Sequence, residues 1–295
     1  MSSSSSADVR RCRPLLGTFV EVAATHASTR QAHRAVDAAF DEVALVHRRM
    51  SFNDPDSDVS RLNREALDHA VAVHPATLDV LRWARTIAEA SGGCFDVTVA
   101  AELVRRGILP RPWSPHEPCR DGSWRDVELL DDGRVRFHRP LWIDLGGIAK
   151  GYAVDRATER LGALGATQAC VNAGGDLRVM GDATECVRLR PAAASDRPTA
   201  VVELANGSLA SSGGNVGQPH DLERFPGVHV HGAHRRLAGS RTFVCVMADR
   251  CMIADALTKV VLGTRSRGAA LLRQYRATAH LYTVRSGWHT VGAAA

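Results

Sequence analysis

The sequence predicts an α+β fold, a single large domain of mixed sheets with packed helices, and three observations carry that prediction. Strand-like and helix-like segments are interleaved without the regular repeat of a doubly wound βαβ sheet. Two long segments, 30–51 and 74–93, place apolar residues at helical spacing. A third, 125–147, alternates like a hairpin turned at Asp132-Gly133 and then runs into a glycine pair. With 45% hydrophobic residues among 295, the chain can fill the core that such a domain requires.

Each element follows from its local pattern. Residues 15–25, LLGTFVEVAAT, read as a strand that leads into helix 30–51, whose apolar positions 35, 36, 39, 40, 43 and 46 share a face. The turn NDPDSD offers Ser57 or Asp58 as the cap of a short helix within 52–66. Helix 74–93 is closed by Gly92-Gly93, the usual C-terminal stop. A further helix is predicted over 150–166, and strands over 168–182, 187–191, 199–214 and 241–248, the last leading into helix 251–263. The loops 109–123 and 214–236 are long enough to expect active-site or lid roles. Residues 1–13, opening with a serine run, are expected to be disordered, and the domain to span 14–290.

The net charge is +5, but 37 basic residues are scattered among 32 acidic ones, which does not indicate a nucleic-acid surface and is compatible with a phosphate-bearing substrate. The amino terminus lacks the apolar run of a signal peptide, and no window approaches the length of a membrane span. The seven cysteines show no CxxC spacing, so neither a disulfide framework nor a zinc site is expected, and a cytoplasmic location is.

The chemistry concentrates in glycine-rich turns. In IDLGGIAKGYAVDRA, 143–157, an apolar strand delivers Asp144, Gly146-Gly147 lets the backbone approach a ligand, and Lys150 follows at the mouth of a helix. A helix amino terminus with a lysine suits a phosphate or pyrophosphate, although a plain glycine turn with a surface lysine has the same pattern. NAGGDLRVMG repeats the glycine pair at Gly174-Gly175, where a bulge or tight corner is the simpler reading. SGGCFDVTVA sets Cys94, Phe95 and Asp96 after a helix stop, and LASSGG, 209–214, adds hydroxyls and a turn.

In order and spacing these motifs resemble those of the FAD:protein FMN transferase, or ApbE, family, of which this chain looks like a divergent member. The resemblance runs from LLGTFVEV through MSFNDPDSDVSRLN, GGCFDVTVA, IDLGGIAKGYAVDRA, VNAGGDLRVMG and LASSGG to ADALTKVVLG, most of residues 15–263. No GxGxxG follows a strand, which sets a dinucleotide-binding Rossmann fold aside. The resemblance implies one ApbE-like domain with a flavin cleft between subregions. It also implies an enzyme that cleaves the pyrophosphate of FAD, transfers FMN to a Thr or Ser hydroxyl of an acceptor protein and releases AMP, using Mg²⁺. Carried over by motif, Leu16, Phe52, Asn53, Cys94, Phe95, Asp96, Asp144, Lys150, Gly174 and Gly175 would contact FAD. Gly147, Asp255 and Thr258 would hold the metal, and His229 or His231 would act as general base.

Two features depart from the family pattern. Four residues after the metal aspartate the family usually has Thr or Ser, whereas this chain has Lys259, with Thr258 one place earlier. An ammonium cannot ligate magnesium, so Lys259 either takes the cation's place, pairs with Asp255 as any i,i+4 pair would, or points away. The loop after LASSGG reads GVHVHGAHRR and lacks the family's Asp-Pro. These departures keep two alternatives in view: an FAD-binding carrier, sensor or partner-binding protein without transfer chemistry, and an FAD pyrophosphatase yielding FMN and AMP. Either way, Asp96 and Asp144 are expected to line one cleft.

Overall fold

The computed structural model describes residues 6–191, 199–213, 229–238, 242–264, 268–283 and 285–292. Strands β1 (Ala7–Leu15) and β2 (Thr18–His26) form an antiparallel hairpin turned at Leu16-Gly17, whose φ angles of 55° and 70° are left-handed. Residues 7–13, expected to be disordered, are therefore an ordered strand, and residues 1–5 lie outside the described residues. This strand escaped notice because it is an edge strand with an arginine-rich solvated face: Arg10 pairs with Glu21, Arg11 and Arg13 with Asp37, and Val9 alone is fully turned inward.

Helix α1 (Thr29–Met50) follows, capped by Ser28, and buries the predicted face from Ala35 through Val46. Ser57, not Asp58, caps α2 (Asp58–Glu65); Asp58 is buried and accepts from the His74 amide and the Thr77 hydroxyl. Then come β3 (Val71–Ala72), α3 (Pro75–Ala90), α4 (Ala100–Arg105), β4 (Val127–Leu129), β5 (Arg134–Phe137) and α5 (Ala149–Ala163). The second half holds β6 (Gln168–Ala173), β7 (Asp176–Met180), β8 (Thr184–Leu189), β9 (Ala200–Ala205), β10 (Ser208–Gly213), β11 (Thr242–Ala248) and α6 (Cys251–Thr264). It ends with α7 (Ala269–Gln274), β12 (Thr278–Thr283) and β13 (Gly287–Gly292).

Eight strands make one sheet in the order β1-β2-β6-β7-β10-β11-β12-β13, every neighbouring pair antiparallel. Its helix-covered face takes α1 against β1 and β2, α5 against β6 and β7, and α6 against β10 and β11. On the opposite face the β8-β9 hairpin buries Leu189, Val202 and Leu204 against Leu177, Leu209 and Phe243. Strands covered on both sides need continuous apolar or small residues, which is how SLASS in β10 and TFVCV in β11 come to be buried throughout most of their length.

A smaller sheet, β3-β5-β4, together with α2 and α3 forms a second subregion. It is tied to the rest by Asn63, whose amide side chain donates to the Ile143 carbonyl at 3.0 Å and accepts its N–H at 2.7 Å. That reciprocal pair fixes the apolar run Leu141–Leu145 and so aims the glycine turn that follows it. Helices α5 and α6 cross at very close range at Gly151, where a Cβ would lie 2.4 Å from the Cys251 carbonyl oxygen.

Candidate functional site

A cavity of about 370 Å³ opens where the two subregions meet. One wall is the segment Cys94–Leu109, with Leu103, Ile108 and Leu109 supplying an apolar face from α4 and the turn after it. The floor is the glycine turn Asp144–Lys150, and the far wall is Ser211-Ser212-Gly213 at the end of β10 together with Lys259 of α6. His229 and Val230 close the side.

The turn Asp144–Lys150 is built by local bonds. The Asp144 amide donates to the Val97 carbonyl at 2.8 Å, and its carboxylate accepts from the Gly146 amide at 3.1 Å, so the 94–99 and 144–146 segments share one frame. Gly147 packs with Phe95 on one side and the aliphatic stem of Lys259 on the other; a Cβ there would lie 3.5 Å from the Phe95 ring and 3.6 Å from Lys259 Cε. Burial raises the Asp144 carboxyl, with the Gly146 amide and Lys259 opposing that shift.

Asp96 and Asp144 line the same cavity, as the sequence leads one to expect. The Asp96 carboxylate is, however, fully engaged by the protein. One oxygen accepts from the Thr98 amide and hydroxyl, each at 2.8 Å, and the other from the Trp124 amide at 3.3 Å and Arg235 Nη2 at 3.4 Å. Burial raises its carboxyl and Arg235 opposes that. Arg235 also donates to the Thr98 hydroxyl at 2.8 Å and to the Gly122 carbonyl, while the Gly232 amide donates to the Cys94 carbonyl at 2.8 Å. Asp96 thus anchors the 229–238 segment, and through it His229, onto the Cys94–Asp96 turn. Cys94 is buried with its thiol pushed up to about 11, which makes it a wall rather than a nucleophile.

At the cavity wall and directly behind it lies a cluster of four charges. Lys150 reaches Asp176 and Lys259 reaches Asp255, both carboxylates having no solvent exposure. Burial alone would lower the Lys150 ammonium, but Asp255 and Asp176 raise it well above its usual value. Burial and the neighbouring Asp255 push the Asp176 carboxyl up, whereas Lys150 and Lys259 hold that of Asp255 down against burial. Lys150 therefore does not stand free at the helix mouth: it is already half of an ion pair. The amide of Gly151, in the first turn of α5, donates at 3.2 Å to Asp255, so a protein carboxylate occupies the positive end of that helix.

His229 is half-buried at the cavity, its imidazole lowered to about 3 by burial, with Lys259 adding to the effect. His231 stacks on His234 with ring centroids 4.6 Å apart and does not line the cavity. Among the described residues, no group of three or more His, Cys, Asp or Glu is placed to hold a metal ion.

Of the remaining residues singled out by sequence, Leu16, Phe52, Asn53, Gly174 and Gly175 do not line the cavity, and neither do Asp255 and Thr258, which lie in the layer behind it. The turns nevertheless form a contiguous sheet end. A Cβ on Gly174 would meet the Thr18 hydroxyl at 2.6 Å, and Gly175 accepts from the Ser211 hydroxyl at 3.4 Å, which links the β1-β2 and β6-β7 turns to the cavity wall. Phe52 is buried and Asn53 exposed in the turn between α1 and α2. Sequence reasoning did not assign Ser211, Ser212, Asp176 or Arg235. Asp176 follows Gly174-Gly175 directly and the serines stand in LASSGG, so the motifs contained them, but Arg235 had no local signal. Residues 214–228 of the long loop lie outside the described residues.

An α+β domain with two lysines, a glycine turn and a histidine converging on one cavity defines a protein suited to an anionic, phosphate-bearing small molecule. The comparisons narrow that class. The profile of the ApbE family matches residues 16–282, and the chain belongs to that family. It is 26% identical over 281 residues to the FAD:protein FMN transferase of Treponema pallidum, an alignment covering 83% of this chain and 75% of the relative. The fold is similar to that of the flavin transferase ApbE from Vibrio cholerae, with a TM-score of 0.81 at 22% identity and 98% of each chain covered. It is also similar to the ApbE protein of Thermotoga maritima, with a TM-score of 0.76 at 25% identity over 97% of each chain. No described helix is long and apolar enough to cross a membrane.

Proposed function

We propose that this chain is an FAD:protein FMN transferase that moves FMN from FAD to a Ser or Thr hydroxyl of an acceptor protein and releases AMP. The observation that carries the reading is the convergence of Lys150, Lys259 and His229 on the cavity opened by Gly146-Gly147. Transfer of a phosphoryl-type group is mostly positioning and charge stabilisation, and two ammonium groups lining the cavity supply the charge. The cavity is at the small end of ligand sites, so a dinucleotide extends beyond it toward the sheet end formed by the Leu16 and Gly174-Gly175 turns, with Phe52 and Asn53 as further contacts.

In the step itself, the acceptor oxygen attacks the phosphorus of the FMN half. A new P–O bond forms, the bond from that phosphorus to the bridging oxygen breaks, and AMP leaves with the bridging oxygen. The hydroxyl proton passes to the unprotonated ring nitrogen of His229; the burial that keeps this ring uncharged at physiological pH also weakens it as a base. His229 is preferred to His231 because it alone of the two lines the cavity.

Magnesium, which the family resemblance implies, does not fit its expected donor set. The oxygens of Asp255 accept from the Gly151 amide and from Lys259, and the Thr258 hydroxyl is engaged with the Asp255 carbonyl at 2.6 Å and the Ser212 hydroxyl at 2.8 Å. No step is assigned to the metal. Incubating the purified protein with FAD, with and without a soluble protein extract of the source cells as acceptor, tests the reading. Acceptor-dependent AMP together with a band of covalent flavin fluorescence is expected. AMP and free FMN formed equally without acceptor would indicate a pyrophosphatase, and FAD binding with no AMP at all would indicate a carrier; either result overturns the transferase reading.

A further inference from the structure

We propose that the ammonium of Lys259 is a built-in cation, standing where the transferase reading would put a divalent metal, so that FAD binding and FMN transfer by this chain do not require one. The inference rests on that reading of the site and on four observations. The Lys259 ammonium bonds both the carboxylate and, at 3.1 Å, the main-chain carbonyl of Asp255. Its stem lies against Gly147. Thr258, the one hydroxyl beside Asp255 on α6, turns to the Asp255 carbonyl and to Ser212 instead of into the cavity. The Lys259 side chain is 14% exposed and lines the cavity, whereas Asp255 is fully covered behind it. Of the residues implied as metal ligands, Asp255 thus holds a nitrogen that cannot leave the chain, Gly147 lies against that lysine's stem, and Thr258 is turned away.

A divalent ion entering this place would have to displace Lys259 from a buried carboxylate and then share a low-dielectric pocket with both its ammonium and that of Lys150. Like charges a few ångströms apart in such surroundings repel strongly. Displacement would also cost a desolvated ion pair with Asp255; of the other carboxylates lining the cavity, Asp96 is held by Arg235, and Asp144 accepts from the Gly146 amide through one oxygen. The lysine supplies one positive charge where the metal would supply two, and Lys150, lining the same cavity, supplies the other.

The test is FAD affinity, followed by quenching of flavin fluorescence, in EDTA and in millimolar MgCl₂. For the wild type the two affinities should agree within about twofold, and Mn²⁺ added with FAD should remain free by its paramagnetic resonance signal. Lys259→Thr frees Asp255 and places a hydroxyl one turn away, the hard oxygen that Mg²⁺ prefers, so its FAD affinity should weaken in EDTA and recover about tenfold or more with MgCl₂, with Mn²⁺ now bound. Wild-type affinity that rises tenfold with MgCl₂, or wild-type Mn²⁺ binding that needs FAD, would overturn the inference and leave the transferase reading standing. A Lys259→Thr protein that folds but gains no metal dependence would also overturn it. Should that variant fail to fold, the wild-type affinities and Mn²⁺ signal decide. A wild type that binds FAD in neither buffer would bring down the transferase reading and this inference with it.

Discussion

Replacing Gly151 with alanine should unseat both the fold and the site, and the size of the effect follows from the α5–α6 crossing. A Cβ at this position would lie 2.4 Å from the Cys251 carbonyl oxygen, 2.6 Å from its carbon and 2.8 Å from Met252 Cα. All three are main-chain atoms, so no rotamer change relieves the overlap. Separating the helices by the necessary half-ångström or so is resisted by Asp155, one turn further along α5, whose carboxylate accepts from the Cys251 and Met252 amides at 2.9 and 3.0 Å. The same movement would stretch both bonds toward roughly 3.5 Å, where they weaken. Overpacking costs about 1–3 kcal/mol, and amide bonds to a carboxylate contribute about 1.5–3 kcal/mol each when intact. Alanine returns about 1 kcal/mol of helix propensity, so with about half of each bond lost the net loss is roughly 3 kcal/mol. FAD affinity should fall as well, since the Gly151 amide also holds Asp255. Gly162→Ala is the internal control on the same helix: its Cβ would meet only the flexible Met180 side chain, at 2.9 Å from Sδ. Urea unfolding followed by circular dichroism measures both variants. A Gly151→Ala protein as stable as Gly162→Ala would refute the close-crossing argument.

Lys150→Met should weaken FAD much more than riboflavin, which has no phosphate, and should cost roughly 3 kcal/mol of stability because Asp176 is left buried without its partner; adding Asp176→Asn should restore the urea midpoint but not FAD affinity. Equal weakening of both flavins would mean that Lys150 does not touch phosphate. His229 should make the protein acid-sensitive: its folded value of about 3 lies below the unfolded 6.5, so its contribution is complete above that unfolded value and drains away as pH falls toward 3. His229→Gln should flatten that part of the pH–stability curve and slow transfer by about a hundredfold, and unchanged acid sensitivity or unchanged transfer would count against the assignment.

The parts of the fold legible in the sequence were those in which local pattern and burial agree. Helix α1 announces itself because its buried face, Ala35 through Val46, is uniformly apolar, and the β4-β5 hairpin because Asp132-Gly133 takes a turn that few other residues take, Gly133 having φ of 82°. Strand β1 was not legible because its arginines are satisfied by Glu21 and Asp37 from other elements, which one sequence cannot reveal. The short helices α4 and α7 carry too few residues for a helical period to emerge. At the site, the motifs brought the right segments together, but the direction of each side chain was invisible. Asp96 reads as a ligand contact until Arg235, 139 residues away, is found on it. Lys150 reads as a free phosphate donor until Asp176 is found beside it.

That last pairing bears on how an apparently neutral cluster can hold a polyanion. Two lysines and two aspartates sum to zero, Asp96 at the cavity is offset by Arg235, and Asp144 lines the cavity as well, so charge count alone gives no preference for an anion. The layers decide it. Lys150 and Lys259 line the cavity, while Asp176 and Asp255 are sealed behind them with no exposure. A phosphate in the cavity would meet the ammonium groups at contact distance and the carboxylates one residue layer deeper. At an effective dielectric near 20, a unit pair at about 4 Å interacts by about 4 kcal/mol, and the same pair at about 7 Å by little more than half of that, so attraction outweighs repulsion. The carboxylates meanwhile keep both lysines charged and oriented before the ligand arrives, so little of the binding free energy is lost in ordering them. Depth of burial, rather than net charge, gives this wall its polarity, and a substitution that brought either carboxylate forward would cancel the site without changing a single charge.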